Sequence, residues 1–276
     1  MHIYTNSSIQ TITLSQAVAP IFRQLCPEPP GAPINLSSLL QHSLRSLRQY
    51  VGINLICSVL SDMPTLFRYQ VAMPSSQPYN HHPSLPAIQE DGVIQWLYGI
   101  PNQLLLLFAT MKTMNQDGLL PSEEMVASLE RDIREVPPFT GSSSDRFLAV
   151  VRSVVQECWR QAALVYLYMG VCRDSSNTPR VKDAFKRLVR LLNGTRPGRL
   201  PDEFLTSPLM IISPAAQQRR DREIIRERAV RLHARASPTN DYIMRIIEDY
   251  WSRADAEGRP NMWSDIAVSR RQVLGV

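Results

Sequence analysis

The chain has 276 residues, of which 44% are apolar and 20% charged, enough for one large domain or two closely packed ones around a sizeable core. Its densest apolar run, residues 104–109, falls far short of the roughly 20 residues that span a bilayer, so the sequence offers no membrane helix. The net charge of +5 is unevenly spread. Residues 1–100 balance Arg23, Arg45, Arg48 and Arg68 against Glu28, Asp62, Glu90 and Asp91. Residues 180–199 carry seven basic side chains against Asp183 alone, and residues 219–235 carry seven arginines against Asp221, Glu223 and Glu227.

Residues 1–34 read as a partly irregular lead-in, ending in the proline-rich stretch 27–33. Residues 1–13 are polar and lack the basic-then-apolar pattern of a secretory signal. A helix then starts near Asn35 or Ser37 and stops by Pro64. Leu36, Leu40, Leu44, Leu47, Val51, Leu55 and Val59 recur along it at the three-and-four spacing of a buried face. Residues 74–86, with four prolines and His81-His82, read as a loop. Asp91 caps a short helix reaching Trp96, and Gly99-Ile100-Pro101 breaks it. The next helix covers 102–115, with Asn102 near its N-cap, and another covers 122–136, ending at Pro137-Pro138.

The longest helix is expected over 144–172. Phe147, Val151, Val154, Cys158, Ala162, Val165 and Met169 form its stripe. Trp159, Ala163, Tyr166 and Gly170 widen that stripe until most of the circumference is apolar, the mark of an almost enclosed helix. Thr178-Pro179 opens the following helix, with proline at the first helical position. Val181, Phe185, Leu188 and Leu192 are its buried face, and Asn193-Gly194 closes it. Segments 214–236 and 239–253, and a short one after Trp263, complete the set. No strand-like alternation persists and no fixed repeat recurs. The expected fold is therefore all-α: packed helical hairpins forming one irregular domain over 35–276.

The chemistry is sparse. No nucleophile elbow, glycine-rich phosphate loop or His-Glu-x-x-His helix occurs. His2, His42, His81, His82 and His233 are scattered, and adjacent histidines in a Pro/Ser/Asn loop fit a solvent-exposed turn better than a metal site. Asp62, Glu90, Asp91, Glu123, Glu124 and Asp132 are spaced as caps and solvated faces. Cys26, Cys57, Cys158 and Cys172 include no Cys-x-x-Cys pair and read as reduced, structural thiols inside the cell. No catalytic residue, metal or cofactor is expected. Trp96, Tyr98, the leucine-rich helix up to Phe108, Trp159, Tyr166 and Tyr168 could line a pocket, although aromatics at helical spacing are usually core.

Two basic stretches raise the question of phosphate binding. In the later one, Arg219, Arg222 and Arg226 share a helical face, but Glu223 and Glu227 stand three or four residues from arginines and can pair with them. In the earlier one, Lys182, Lys186, Arg187 and Arg190 lie opposite the buried face. They are the candidate contacts for an acidic partner or for phosphates, without any base-reading motif.

As a string, Glu157-Cys158-Trp159-Arg160-Gln161-Ala162-Ala163-Leu164-Val165-Tyr166-Leu167 resembles the regulatory domain of fungal zinc-cluster transcription factors. In that family a Glu-x-Trp-Arg-x-Ala-x-x-x-Tyr-Leu helix precedes a short polar turn and a second amphipathic helix. Further stretches match its basidiomycete branch in order: Asn54 to Ser58 with Pro64 to Tyr69, Trp96 to Pro101, Glu157 through Val181, and Trp263-Ser264-Asp265 with Ser269-Arg270. The resemblance runs from about residue 35 to the C-terminus. Members commonly have Asp where Asn54 stands, Gly-Arg where Asp62-Met63 stand, and Asp where Asn102 stands. Full-length members also carry an N-terminal cluster of six closely spaced cysteines that reads DNA, and this chain has none.

The resemblance implies a non-enzymatic regulatory domain in the nucleus, modulating transcription through transcription-related proteins and a small-molecule effector. It implies no sequence-specific DNA binding by this chain alone and no membrane contact, and it leaves a dimer open. A helical interaction scaffold outside transcription and an enzyme with a buried pocket are the alternative readings.

Overall fold

The computed structural model describes residues 8–71, 98–138, 146–195, 202–233 and 241–275. The loop expected at 74–86 with His81 and His82, the helix from Asp91 to Trp96, and the basic residues Arg196, Arg199 and Arg235 lie outside the described residues. Eleven helices dominate what is described, so the all-α expectation holds.

In chain order they are α1 (Ser8–Leu25), α2 (Leu36–Leu40), α3 (Arg45–Ser61), α4 (Asn102–Gln116), α5 (Glu123–Glu135), α6 (Arg146–Tyr166), α7 (Pro179–Asn193), α8 (Thr206–Ile212), α9 (Arg219–His233), α10 (Asp241–Ala256) and α11 (Asp265–Leu274). Two residues of β1 (Ile34–Asn35) pair in parallel with two of β2 (Tyr69–Gln70). That bridge fastens the chain entering α2 to the segment leaving α3.

The lead-in contains a helix that the sequence reading did not name. α1 packs on α3: the Phe22 ring stacks on Tyr50 at 4.2 Å, and the Tyr50 hydroxyl donates to the Ser15 carbonyl at 2.7 Å. The proline-rich stretch after it is tied down by Arg23, which donates to the Ala32 carbonyl at 3.1 Å.

The single helix expected from Asn35 to Pro64 is two helices. Asn35 does cap α2, its side chain accepting from Ser38 N at 3.0 Å. The backbone then breaks because His42 Nδ1 accepts the Leu44 amide at 3.1 Å, a local bond that replaces the helical one. Leu44, placed on the buried stripe by spacing alone, is 46% exposed as a result. Beyond the break, Leu47, Val51, Leu55 and Val59 are buried as expected.

α6 is the enclosed helix. It packs against α4, α5, α7 and α8, and from Cys158 to Tyr166 only Arg160 is not buried. Two corrections apply at its ends. Phe147, together with Val150, is 62% exposed rather than on the buried stripe. The last expected turns are a π-helical segment, Leu167–Val171. The wider turn lets the Tyr166 ring lie over Gly170, where a Cβ would sit 2.6 Å from the ring.

Ser122 caps α5 by accepting from Met125 N at 3.3 Å. α7 begins at Pro179 and ends at Asn193, with Val181, Phe185, Leu188 and Leu192 all buried. Asn102 stands next to the N-cap of α4, as expected. Pro101 holds that position, and Asn102 is the first helical residue, buried, with its Oδ1 unpartnered. The segment expected as one helix over 214–236 is α9 alone, from Arg219. α8 before it was not foreseen.

Candidate functional site

Three polar arrangements stand out against this apolar core. The first surrounds Asp62, the residue just after α3, which adopts a left-handed backbone (φ 50°). Such a position favours glycine. The carboxylate recovers that cost through its partners. Its Oδ1 accepts from Trp263 Nε1 at 3.2 Å and Asn115 Nδ2 at 3.3 Å, and lies 3.6 Å from Lys112 Nζ. Trp263 also meets the Tyr166 ring edge-on at 5.0 Å. Arg270 of α11 donates to the Ser61 carbonyl at 3.2 Å. One carboxylate thus joins α3, α4 and the segment before α11.

Burial pushes the Asp62 carboxyl up and the Lys112 ammonium down, each opposed by its partner's charge. The cluster ties α3, α4 and the segment before α11 together. Its signal was legible: Lys112 is the one charged residue on α4, four positions after Phe108 on the buried side.

The second arrangement joins α9 to its neighbours. Arg222 reaches Asp255 with Nη2–Oδ1 at 2.8 Å, and Arg226 reaches Glu248 with Nη2–Oε2 at 2.7 Å. Both guanidinium groups lie over the Trp251 ring, at 5.3 and 5.1 Å. Arg219 pairs with Glu223 one turn along the same helix, at 3.0 Å. Arg228 forms a fully buried pair with Asp202 and donates to the carbonyls of Leu192 and Thr195. The arginines that sequence spacing aligned for phosphates are therefore committed. Most of their acids sit on α10 rather than on their own helix. Asp202 lies 26 positions from Arg228, and no periodicity could have linked them.

The third arrangement is α7. Lys186, Arg187 and Arg190 are exposed and Lys182 is half-buried, opposite the Val181/Phe185/Leu188/Leu192 face. Among the described residues, none of these four cations forms an ion pair. Asp183 is the one acid on the same helix. Asp221 of α9 feels the charges of Arg220 and Lys186, which oppose the upward push of burial on its carboxyl. Arg180, at the start of the helix, is held separately by Asp174 and lies 4.7 Å over the Tyr168 ring.

The aromatic residues considered for a pocket pack as core where they are described. Trp159 donates from Nε1 to the Tyr98 carbonyl at 3.0 Å, and Phe108 meets Trp159 at 6.0 Å and Tyr166 at 5.8 Å. Gly99 makes the approach close: a Cβ there would lie 2.4 Å from Val155 Cγ1. Trp96 lies outside the described residues. A small cleft between α1 and α3, bordered by Ser15, Asn54, Cys57, Ser58 and Ser61, has a volume of about 30 Å³, room for a water or two.

Among the described residues, no group of three or more His, Cys, Asp or Glu side chains is arranged to hold a metal ion. No described helix is long and apolar enough to cross a membrane. The four cysteines are free. Burial pushes the Cys158 thiol up to about 12, from 9.0, a poor nucleophile at neutral pH.

This carries a pH dependence. The folded thiol holds its proton while the unfolded thiol loses it, so its contribution is complete below about pH 9 and is lost as pH rises toward about 12. Cys158→Ala is expected to flatten that part of the stability profile, by about 1.4 kcal/mol per pH unit at most. Urea titrations at pH 8 and pH 10.5 check it, and parallel losses in both proteins would contradict it.

A family model described as a fungal specific transcription factor domain matches residues 37–274. No curated protein and no solved structure matches the chain.

Proposed function

We infer that this chain, which belongs to the fungal specific transcription factor domain family, acts in the nucleus by modulating transcription through contacts with other proteins. The transcription-regulatory role comes with the family, which is one of regulatory domains and not of enzymes. The match covers α2 through α11, so the regulatory assignment applies to the packed helices as a whole.

The single observation that supports action through contacts is the division of charge. The buried interior is spent on packing, with polar groups tied to each other across helices, while α7 presents an uncompensated basic face. The chain itself contains no six-cysteine DNA reader, so recruitment to a gene falls outside what these residues supply. A small-molecule effector remains part of the reading as a modulator of the contacts. Its place is not the α1–α3 cleft, whose volume suits only water.

The test is recruitment. The whole chain is fused to a foreign DNA-binding domain and placed upstream of a reporter, across a panel of nutrient conditions. Reporter output is expected to depart from that of the DNA-binding domain alone in at least one condition. A fusion that is expressed and nuclear yet silent in all of them favours a scaffold outside transcription. Turnover of a metabolite by the purified chain would favour the enzyme reading.

A further inference from the structure

We propose that the exposed face of α7 is a docking surface for an acidic α-helical segment of a partner protein, held by Lys182, Lys186, Arg187 and Arg190. The proposal rests on the regulatory reading above and names the class of partner.

Three observations carry it. The first is contrast. Arg68, Arg134, Arg160, Arg180, Arg219, Arg222, Arg226, Arg228, Arg253 and Arg259 each hold an acidic side chain. Among the described residues, the four cations on α7 hold none. Arg45, Arg131, Arg146, Arg173, Arg220, Arg245 and Arg271 also pair with no acid there, but they are spread over several elements, whereas these four crowd one helix of 15 residues. Like charges this close repel one another, so the face gains when an anion covers it.

The second observation is spacing. Lys182, Lys186 and Arg190 stand four residues apart, which places them about 6 Å apart along the axis, with Arg187 flanking the row. Carboxylates four apart on a second helix repeat at the same interval. A packed pair of helices can therefore set each cation opposite an acid. Asp183 interrupts the face near its N-terminal end, so the partner's acids are favoured over Lys186 and Arg190 and disfavoured beside Asp183. That asymmetry sets the direction in which the partner lies.

The third observation separates a helix from a duplex. Tracking a DNA backbone takes an extended basic surface, typically 6–10 phosphate contacts. The other strongly basic element is α9, whose Asp221 feels the charge of Lys186. Its Arg219, Arg222, Arg226 and Arg228 are bound to Glu223, Asp255, Glu248 and Asp202. Among the described residues, the cations of α7 thus form a strip about two turns long, with Arg220 of α9 also exposed, suited to a short acidic helix. Contacts of this kind chiefly steer encounter and set specificity, and they weaken with salt.

The probe is a labelled, alanine-based helical peptide with glutamates four residues apart, titrated by fluorescence anisotropy against the full chain. A second peptide has the same composition with its glutamates scrambled, and a third probe is duplex DNA of unrelated sequence. The wild-type chain is expected to bind the ordered peptide more tightly than either other probe. K186E/R190E is expected to lower that affinity by about tenfold or more, and K186Q/R190Q by less. R131E, which alters an exposed arginine on α5, is expected to change it less than about twofold. The variants are compared only where their melting curves match the wild type, and the Gln pair reads the strip if the Glu pair does not fold.

No binding of the ordered peptide, equal binding of the scrambled one, or insensitivity to both pairs would overturn the proposal. Tighter binding of the duplex through the same four residues would overturn it in favour of phosphates. The reporter fusion separates the two levels. A silent fusion whose chain still binds the ordered peptide sinks the regulatory reading and leaves the strip standing. A fusion whose reporter effect survives K186E/R190E overturns the strip as the regulatory contact and leaves the regulatory reading standing.

Discussion

Asp202→Asn is expected to destabilise the domain by about 3–5 kcal/mol, the range for breaking a buried ion pair from one side. The side chains of Arg228 and Asp202 are 3% and 0% exposed. Asparagine keeps the shape and an acceptor oxygen but removes the counter-charge. Arg228 then keeps as acceptors the carbonyls of Leu192 and Thr195 and the Thr195 hydroxyl, with no full counter-charge beside it. The damage is expected to spread beyond the pair. Arg228 holds α9 against the end of α7, and Asp202 opens the turn before α8. Replacing both partners, Asp202→Leu with Arg228→Met, is expected to cost less than the single change, because no charge is left stranded. Urea unfolding of the three proteins decides it. A single variant within about 1 kcal/mol of wild type would show that the pair is solvated rather than buried.

Trp159→Ala is the second large effect, also about 3–5 kcal/mol, as for a large aromatic removed from a core. Trp159 is 1% exposed on the enclosed helix α6. Its loss empties the space against Phe108 and leaves the Tyr98 carbonyl without its donor. For a domain of this size the melting temperature is expected to fall on the order of 10 °C. Trp159→Phe keeps most of the ring and is expected to lose less, chiefly the hydrogen bond, about 1 kcal/mol. An unchanged melting curve for the alanine variant would contradict the placement of α6 at the centre of the fold.

The sequence showed those elements whose pattern is local. α7 was legible from Thr178-Pro179 at one end, Asn193-Gly194 at the other and a clean four-residue face between. α6 was legible because its apolar groups nearly encircle it. The break between α2 and α3 was not, because it depends on a histidine nitrogen capturing an amide two residues on, which periodicity does not register. α8 escaped because its seven residues, two polar ones followed by Pro208 and four apolar ones, are too few to set a period. Phe147 misled because spacing says which residues share a face, not how far the neighbours extend along it.

The polar ties divide in the same way. Lys112 announces itself as a charge within an apolar helix. Arg228 with Asp202, and Trp263 with Asp62 across 201 positions, exist only once the chain has folded. The α7 cations were visible as a cluster. What the structure adds is that Arg219, Arg222, Arg226 and Arg228 of α9, equally basic in sequence, are held by acids. Among the described residues, unpaired cations are most crowded on the strip of α7.

The most direct test of the whole account is the reporter assay with the chain fused to a foreign DNA-binding domain. The account predicts output that departs from the DNA-binding domain alone in at least one nutrient condition, and a smaller departure when Lys186 and Arg190 are reversed. A folded, nuclear fusion with no effect on the reporter in any condition would contradict it.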